Sequence, residues 1–180
     1  MSSLASDANL LPAIARASVA EHLTGAPPPT PPEIRDYLAR RAGVFVTIRT
    51  RQGELRGCRG TIEPQFPDVA EETRRLALSS AFQDNRFAPV HREELNNLRF
   101  EVSVLHPPEP ATGLEGFDPA RHGIIVSTPD GRRALMLPGV EGLETAQKQF
   151  EATCRKGGID PRESVTLERF VVDRFKEAVP

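Results

Sequence analysis

The stretch GVFVTIRTRQGELRGCRGTIE, Gly43 to Glu63, decides the reading of the fold. Val44, Val46 and Ile48 alternate with Phe45, Thr47 and Arg49. That period of two sends each set to its own face of a strand. Arg51-Gln52-Gly53 is a turn, and Glu54 to Glu63 reads as a returning strand, so the segment is a β-hairpin. In a regular returning strand Arg56 and Cys58 share one face and Arg59 points away.

The chain organises itself on either side of this hairpin. On the N-terminal side, Leu10, Leu11, Ile14, Ala17 and Leu23 recur at helical spacing, with Pro12 tolerated in the first turn and Gly25 as the stop. This gives a helix over 9–25. Residues 26–32, APPPTPP, hold five prolines and form an extended connector. A second helix is expected from Glu33 to Arg41. On the C-terminal side, Pro67 opens a helix over Asp68 to Ala81, and Ser79 to Val90 runs out of period as a loop. Leu98, Phe100, Val102 and Val104 alternate with Arg99, Glu101 and Ser103 in a half-buried strand, which PPEPATG breaks. Ile124 to Val126 and Ala134 to Leu137 are strands joined by a turn. Leu143 to Lys156 is a helix ended by Gly157 and Gly158, and Val165 to Phe175 is a final strand. Strands and helices mix without a βαβ rhythm, so the fold class is α+β, a largely antiparallel β-sheet flanked by helices.

At 180 residues the chain is long enough for one domain with its own core, here taken as 1–180. Hydrophobic residues at 38% and charged residues at 27% fit a globular chain. A net charge of −2, one tyrosine and no tryptophan argue against a nucleic-acid binder, which needs a basic surface and stacking platforms. No apolar run approaches the ~20 residues that cross a bilayer, and no leader pattern opens the sequence. The expectation is a cytoplasmic protein with two reduced thiols.

Cys58 is the candidate nucleophile. Gly57 and Gly60 flank it and allow close approach of a ligand or of backbone. Arg56 and Arg59 stand beside it, and neighbouring guanidinium groups favour the thiolate, the form that attacks. The bland alternative is an inert cysteine packed in a glycine-rich strand. Asp84 and Arg86 lie in the loop after the helix, where an Asp-x-Arg pair braces a loop or contacts a ligand. Cys154 shares a helical stripe with Leu143, Ala146 and Phe150, which makes it core. Histidines 22, 91, 106 and 122 form no HxH or HxxxH pair and the cysteines no CxxC, so the sequence names no metal site and no cofactor. Any base for Cys58, such as His91 or His122, has to be brought by the fold.

LRGCRGT, Leu55 to Thr61, resembles the signature of the AMMECR family, Leu-Arg-Gly-Cys followed by an apolar residue and then Gly-Thr. Arg59 stands where that apolar residue belongs. Downstream, ALSSAFQDNRFAPV is similar to the family's Ala-x-x-Ser-Ala-x-x-Asp-x-Arg-Phe-x-Pro, matched by Asp84, Arg86, Phe87 and Pro89. FEVSVL (Phe100 to Leu105), HGI (His122 to Ile124), LP (Leu137, Pro138) and RKGG (Arg155 to Gly158) follow in the family's order. The resemblance spans about Gly43 to Phe175, the main patterned region 43–175. It implies a fold with a larger and a smaller lobe whose signature residues line a concavity. Binding candidates are then Arg56, Gly57, Arg59, Gly60, Asp84 and Arg86 around Cys58. In prokaryotes such a domain resembles the A component of the AmmeMemoRadiSam system, which implies a Memo-like protein and a radical SAM protein as partners. Two roles remain open: an enzyme or enzyme component working through Cys58, and a non-catalytic module that binds a small anionic molecule or a protein.

Overall fold

The computed structural model of the chain describes residues 10–26 and 36–177. The chain divides into two compact units: residues up to Val104 with the segment returning at Asp173, and Leu105–Val172. In chain order the elements are α1 (Leu11–Thr24), β1 (Val44–Thr50), β2 (Leu55–Gly60), α2 (Val69–Phe82), a 3-10 turn (Arg92–Asn97), β3 (Leu98–Leu105), β4 (Glu109–Ala111), β5 (Gly123–Ser127), β6 (Arg133–Met136), α3 (Ala146–Gly157), β7 (Thr166–Phe170) and β8 (Val172–Lys176).

The first unit holds a four-stranded sheet in the order β2-β1-β3-β8. β1 pairs antiparallel with β2 and with β3, and Thr47 stands opposite Cys58 on one side and Glu101 on the other. The core side of the alternation is as read from the sequence, but Phe45, Thr47 and Ser103 on the other side are buried as well, so the half-buried reading is corrected over that stretch. Val44, Val46, Ile48, Phe100, Val102 and Val104 are buried in one cluster with Leu11, Ile14 and Val19 of α1 and Val69, Leu76 and Ala77 of α2. Removing each such side chain from water contributes about 1.5–3 kcal/mol, so this face fixes which way every strand residue points. The opposite face carries Phe45, Thr47, Arg49, Cys58, Arg99, Glu101 and Ser103.

Helix ends follow local chemistry. Pro12 lies in the first turn of α1, and Gly25 closes the helix at φ 69° with its N–H on the Glu21 carbonyl. Asp68 caps α2 by accepting from the Glu71 N–H at 2.8 Å, with Glu71 and Glu72 at the positive end of the helix. The helix expected over Glu33–Arg41 is corrected. Of its described part, 36–41, residues 36–39 are a turn, with Asp36 at φ 49°, and 40–41 are irregular. The reason lies in α2: the N–H groups of Val69 and Ala70 donate to the carbonyls of Arg40 and Leu38, so these carbonyls serve a neighbouring helix start. The proline-rich connector falls, from residue 27 on, outside the described residues.

The second unit holds another four-stranded sheet, β4-β7-β5-β6, again antiparallel. Ile124 and Val126 of β5 pack with Phe150 and Cys154 of α3, and Cys154 is fully buried. α3 begins at Ala146, later than Leu143, because Thr145 caps it by accepting from the Lys148 N–H. Two further readings change. The segment Val165 to Phe175 is two strands of different sheets, divided at Val171, whose carbonyl accepts from the His106 N–H. PPEPATG contains β4, where Pro110 is tolerated because β4 is an edge strand.

Candidate functional site

β2 is an edge strand, so one side of its backbone has no neighbouring strand. The loop after α2 fills that side. The Cys58 N–H donates to Asp84 Oδ2 at 2.9 Å, and Arg86 Nη2 donates to the Cys58 carbonyl at 3.4 Å. Asp84 and Arg86 thus occupy the polar groups that a further strand would otherwise pair. They are also bound to each other: Arg86 Nε reaches Asp84 Oδ1 at 2.9 Å and Nη2 reaches Oδ2 at 2.6 Å. The Arg86 fork, joined by the Cys58 and Arg86 backbone N–H groups, holds the Asp84 carboxyl far below the usual carboxylate range against the opposing effect of burial. Asp84 in turn pushes Arg86 up. Three residues distant in sequence are therefore brought together at one strand edge.

Gly57 faces the helices, and α2 crosses it closely. A Cβ on Gly57 would lie 2.2 Å from the Ser80 carbonyl oxygen. That approach inserts Ser80 into the hairpin: its hydroxyl accepts from the Arg59 N–H at 2.9 Å and donates to the Val46 carbonyl at 2.8 Å. Gly60 serves the other face, where the Phe45 ring occupies the space its side chain would need, 2.2 Å from the Cβ position. Both glycines are sites of close approach, one to a helix backbone and one to an aromatic ring.

Cys58 itself is half-buried on the polar face, with its Sγ 3.3 Å from Thr47 Oγ1. The pairing is consistent with a close cross-strand contact between directly opposed residues. Beyond Thr47, Glu101 is held by Arg174 at 3.2 Å and Lys176 at 3.3 Å. A thiol, a hydroxyl and a carboxylate therefore follow one another across three strands.

Arg56 does not share this face as a free cation. Register skips it: Gly57 pairs with Ile48 and Leu55 with Arg49, so Arg56 is the extra residue of a bulge. Bulges re-aim side chains, and Arg56 runs to Glu94 by a two-pronged contact at 2.8 and 3.0 Å and to the carbonyls of Ala88 and Pro89. Glu94 is lowered below its ordinary value, first by Arg56. Arg56 is thereby a second clamp between β2 and the same loop. Arg59 is exposed, and among the described residues no acceptor is recorded for its side chain. His91 begins the 3-10 turn, where its N–H donates to Glu94, and His122 Nδ1 accepts from the Asp118 N–H. Among the described residues no three His, Cys, Asp or Glu side chains gather as a metal site.

Sequence reasoning missed Thr47, Ser80, Glu94 and Glu72. Ser80 stood inside the quoted ALSSAFQDNRF segment, and its burial follows from Gly57. Glu72 is fully buried on α2 and accepts from the Thr61 hydroxyl and the Gln65 and Phe66 N–H groups, which fastens the chain leaving β2. No described helix is long and apolar enough to cross a membrane.

The fold and site define an α+β protein of two antiparallel sheets with a clamped, glycine-flanked cysteine on a sheet edge. The AMMECR1 family model matches residues 12–178, and the chain belongs to this family. A Thermotoga maritima protein is 41% identical over 142 residues, covering 78% of this chain and 81% of the relative. A Clostridium acetobutylicum protein is 39% identical over 92% of this chain, which spans only 35% of that longer relative. The crystal structure of uncharacterized protein PH0010 from Pyrococcus horikoshii superposes with a TM-score of 0.84 at 34% identity, covering 96% of this chain and 92% of that one.

Proposed function

We propose that this AMMECR1 domain is a cytoplasmic enzyme component that works through the Cys58 thiol, as a nucleophile or as a covalent carrier of its substrate. One observation carries the reading: the backbone of Cys58 is clamped by Asp84 and Arg86 while the residue stays partly exposed, with its thiol beside the Thr47 hydroxyl. Rigid backbone with an accessible reacting atom is what positions a nucleophile. Arg59, paired with Val46 and so on the other face of β2 from the thiol, has no part in this reading. Arg56, Asp84 and Arg86 act in this reading as positioning residues, because their hydrogen-bonding groups are turned toward the protein. The family resemblance supplies the proposed partners, a Memo-like protein and a radical SAM protein.

The test is site-resolved alkylation of the native protein by iodoacetamide at neutral pH, followed by mass spectrometry. Cys58 is expected to react well ahead of Cys154, which is fully buried and whose thiol burial pushes up. A Cys58 that stays inert until the protein unfolds refutes the reading. Intact-mass analysis of protein isolated from cells expressing the Memo-like and radical SAM components extends the test. A covalent adduct on Cys58 supports the carrier role, and a purely non-covalent ligand supports the accessory-module role instead.

A further inference from the structure

β1 lies between β2 and β3 in the sheet order β2-β1-β3-β8. Thr47 is therefore fixed from both sides, opposite Cys58 on one and Glu101 on the other. A β-branched side chain has few χ1 choices, so the Thr47 hydroxyl has a defined direction. It lies 3.3 Å from Cys58 Sγ, and among the described residues no other hydrogen bond is recorded for it. Thr47 is 6% exposed, so water is not a ready substitute for the sulfur. A buried hydroxyl is rarely left without a partner. Glu101, on the far flank of Thr47, is engaged by Arg174 at 3.2 Å and Lys176 at 3.3 Å.

In the next row of the same face Phe45 stands opposite Gly60, and its ring occupies the space that a Gly60 side chain would need. Phe45 is buried as well. An apolar ring in the row beside the Thr47–Cys58 pair lowers the local dielectric, which strengthens a hydrogen bond to a charged atom.

The contact changes character with the state of the sulfur. While Cys58 is a thiol, either group can be the donor. Once the thiol proton has left, the sulfur is an acceptor only, and Thr47 is the side that donates. A hydrogen bond to an ionised partner is roughly twice as strong as a neutral one. We infer that Thr47 is the hydrogen-bond donor that holds and populates the Cys58 thiolate, a role that rests on the reading of Cys58 as nucleophile or covalent carrier. Asp84 and Arg86 fix the backbone of Cys58, and Thr47 fixes its sulfur. A hydrogen bond to a charged group favours the charged form by roughly ten- to a hundredfold. A better-stabilised thiolate is also a weaker nucleophile, with a Brønsted coefficient of ~0.4–0.5, so about half of that gain on a logarithmic scale survives in the rate.

The experiment measures the rate at which iodoacetamide alkylates Cys58 in the full native chain at neutral pH, resolved by mass spectrometry. The thiol proton goes to solvent, the sulfur electron pair forms a bond to the reagent's carbon, iodide leaves, and the Thr47 proton stays on its oxygen. Thr47→Val keeps the shape of the side chain and removes the hydroxyl, whereas Thr47→Ser keeps the hydroxyl and removes the methyl. Thr47→Val is expected to react about three- to tenfold more slowly than the native chain, and Thr47→Ser to recover most of the native rate. A residue that served packing alone would give the reverse order. A Thr47→Val rate equal to or above the native one, or a Thr47→Ser rate no better than that of Thr47→Val, overturns the role given to Thr47 and leaves the thiol reading standing. A native Cys58 that is inert until the chain unfolds overturns both. Labelling of the fully buried Cys154 marks any variant that has lost its fold. If Thr47→Val is such a variant, Thr47→Ala takes its place, and the same comparison with Thr47→Ser decides.

Discussion

Gly57→Ala is the smallest change that tests how the site is built. The new Cβ would sit 2.2 Å from the Ser80 carbonyl oxygen, a backbone atom that cannot rotate away. Carbon and oxygen in contact are ordinarily about 3.3–3.6 Å apart, so α2 has to retreat from β2 by roughly 1 Å. That retreat carries the Ser80 hydroxyl out of reach of both its partners, the Arg59 N–H at 2.9 Å and the Val46 carbonyl at 2.8 Å. Two neutral hydrogen bonds account for about 1–3 kcal/mol, and overpacking adds about 1–3 kcal/mol. The total, about 2–6 kcal/mol, is a large share of the ~5–15 kcal/mol that holds a domain folded. It corresponds to a fall in Tm of roughly 5–20 °C for a chain of this size. Gly113 is the control, since a Cβ there meets nothing within 4 Å. Gly113→Ala is expected within about 0.5 kcal/mol of the native chain. Urea and thermal melts of both variants are the assay, with Ser80→Ala and the double variant added. If Gly57→Ala displaces the helix, Ser80→Ala costs little more on top of it. A Gly57→Ala melt matching that of Gly113→Ala would show that the helix does not press on the strand, and the account of the site would fall.

Two further outcomes rest on buried carboxylates. Asp84 has a folded-state pKa held below its unfolded value, so its stabilisation is present above the unfolded value near ~3.9 and is lost as pH falls below it. Asp84→Asn is expected to flatten the loss of Tm between about pH 5 and pH 3 while lowering Tm at pH 7; a variant with the acid profile of the native chain counts against the Asp84–Cys58 clamp. Glu72→Ala strands three donors, on Thr61, Gln65 and Phe66, and is expected to cost about 3 kcal/mol or more at roughly 1–3 kcal/mol per unsatisfied buried group. Equilibrium unfolding in urea measures it, and a loss under 1 kcal/mol contradicts the role given to this carboxylate.

What could be read from the sequence was what depends on neighbours in sequence. The period-two pattern over Val44 to Arg49 and Leu98 to Leu105 placed the core face of both strands, because the same alternation that marks a half-buried strand also decides which residues the helices cover. The family pattern pointed to Cys58, Asp84 and Arg86 together. Pattern has no access to sheet membership, and Val165 to Phe175 alternates across the point where the chain leaves one sheet for the other. A proline marks a break in any local reading, yet at an edge strand it removes no needed donor, which is why β4 went unseen. The bulge at Arg56 carried no local mark either. One extra residue there turned an expected site cation into a clamp on Glu94, and a clamp is visible only once its partner 38 residues away is in place.

The same distinction bears on where chemistry resides in this protein. Arg56, Asp84 and Arg86 were singled out for charge, and the structure binds each of them to the protein on hydrogen-bond geometry that leaves the backbone of β2 fixed. Groups so committed hold a shape, since releasing any of them to a ligand would expose a buried partner at a cost of about 1–3 kcal/mol. Among the described residues, the uncommitted groups on the Cys58 face of the first sheet include the Cys58 thiol, with its single weak contact to Thr47, the Ser103 hydroxyl and Arg99 Nε. All three lie on one face of one sheet. Charge alone is therefore a poor guide to function in this chain, because the fold has already used the most charged residues of its signature to hold β2 in place.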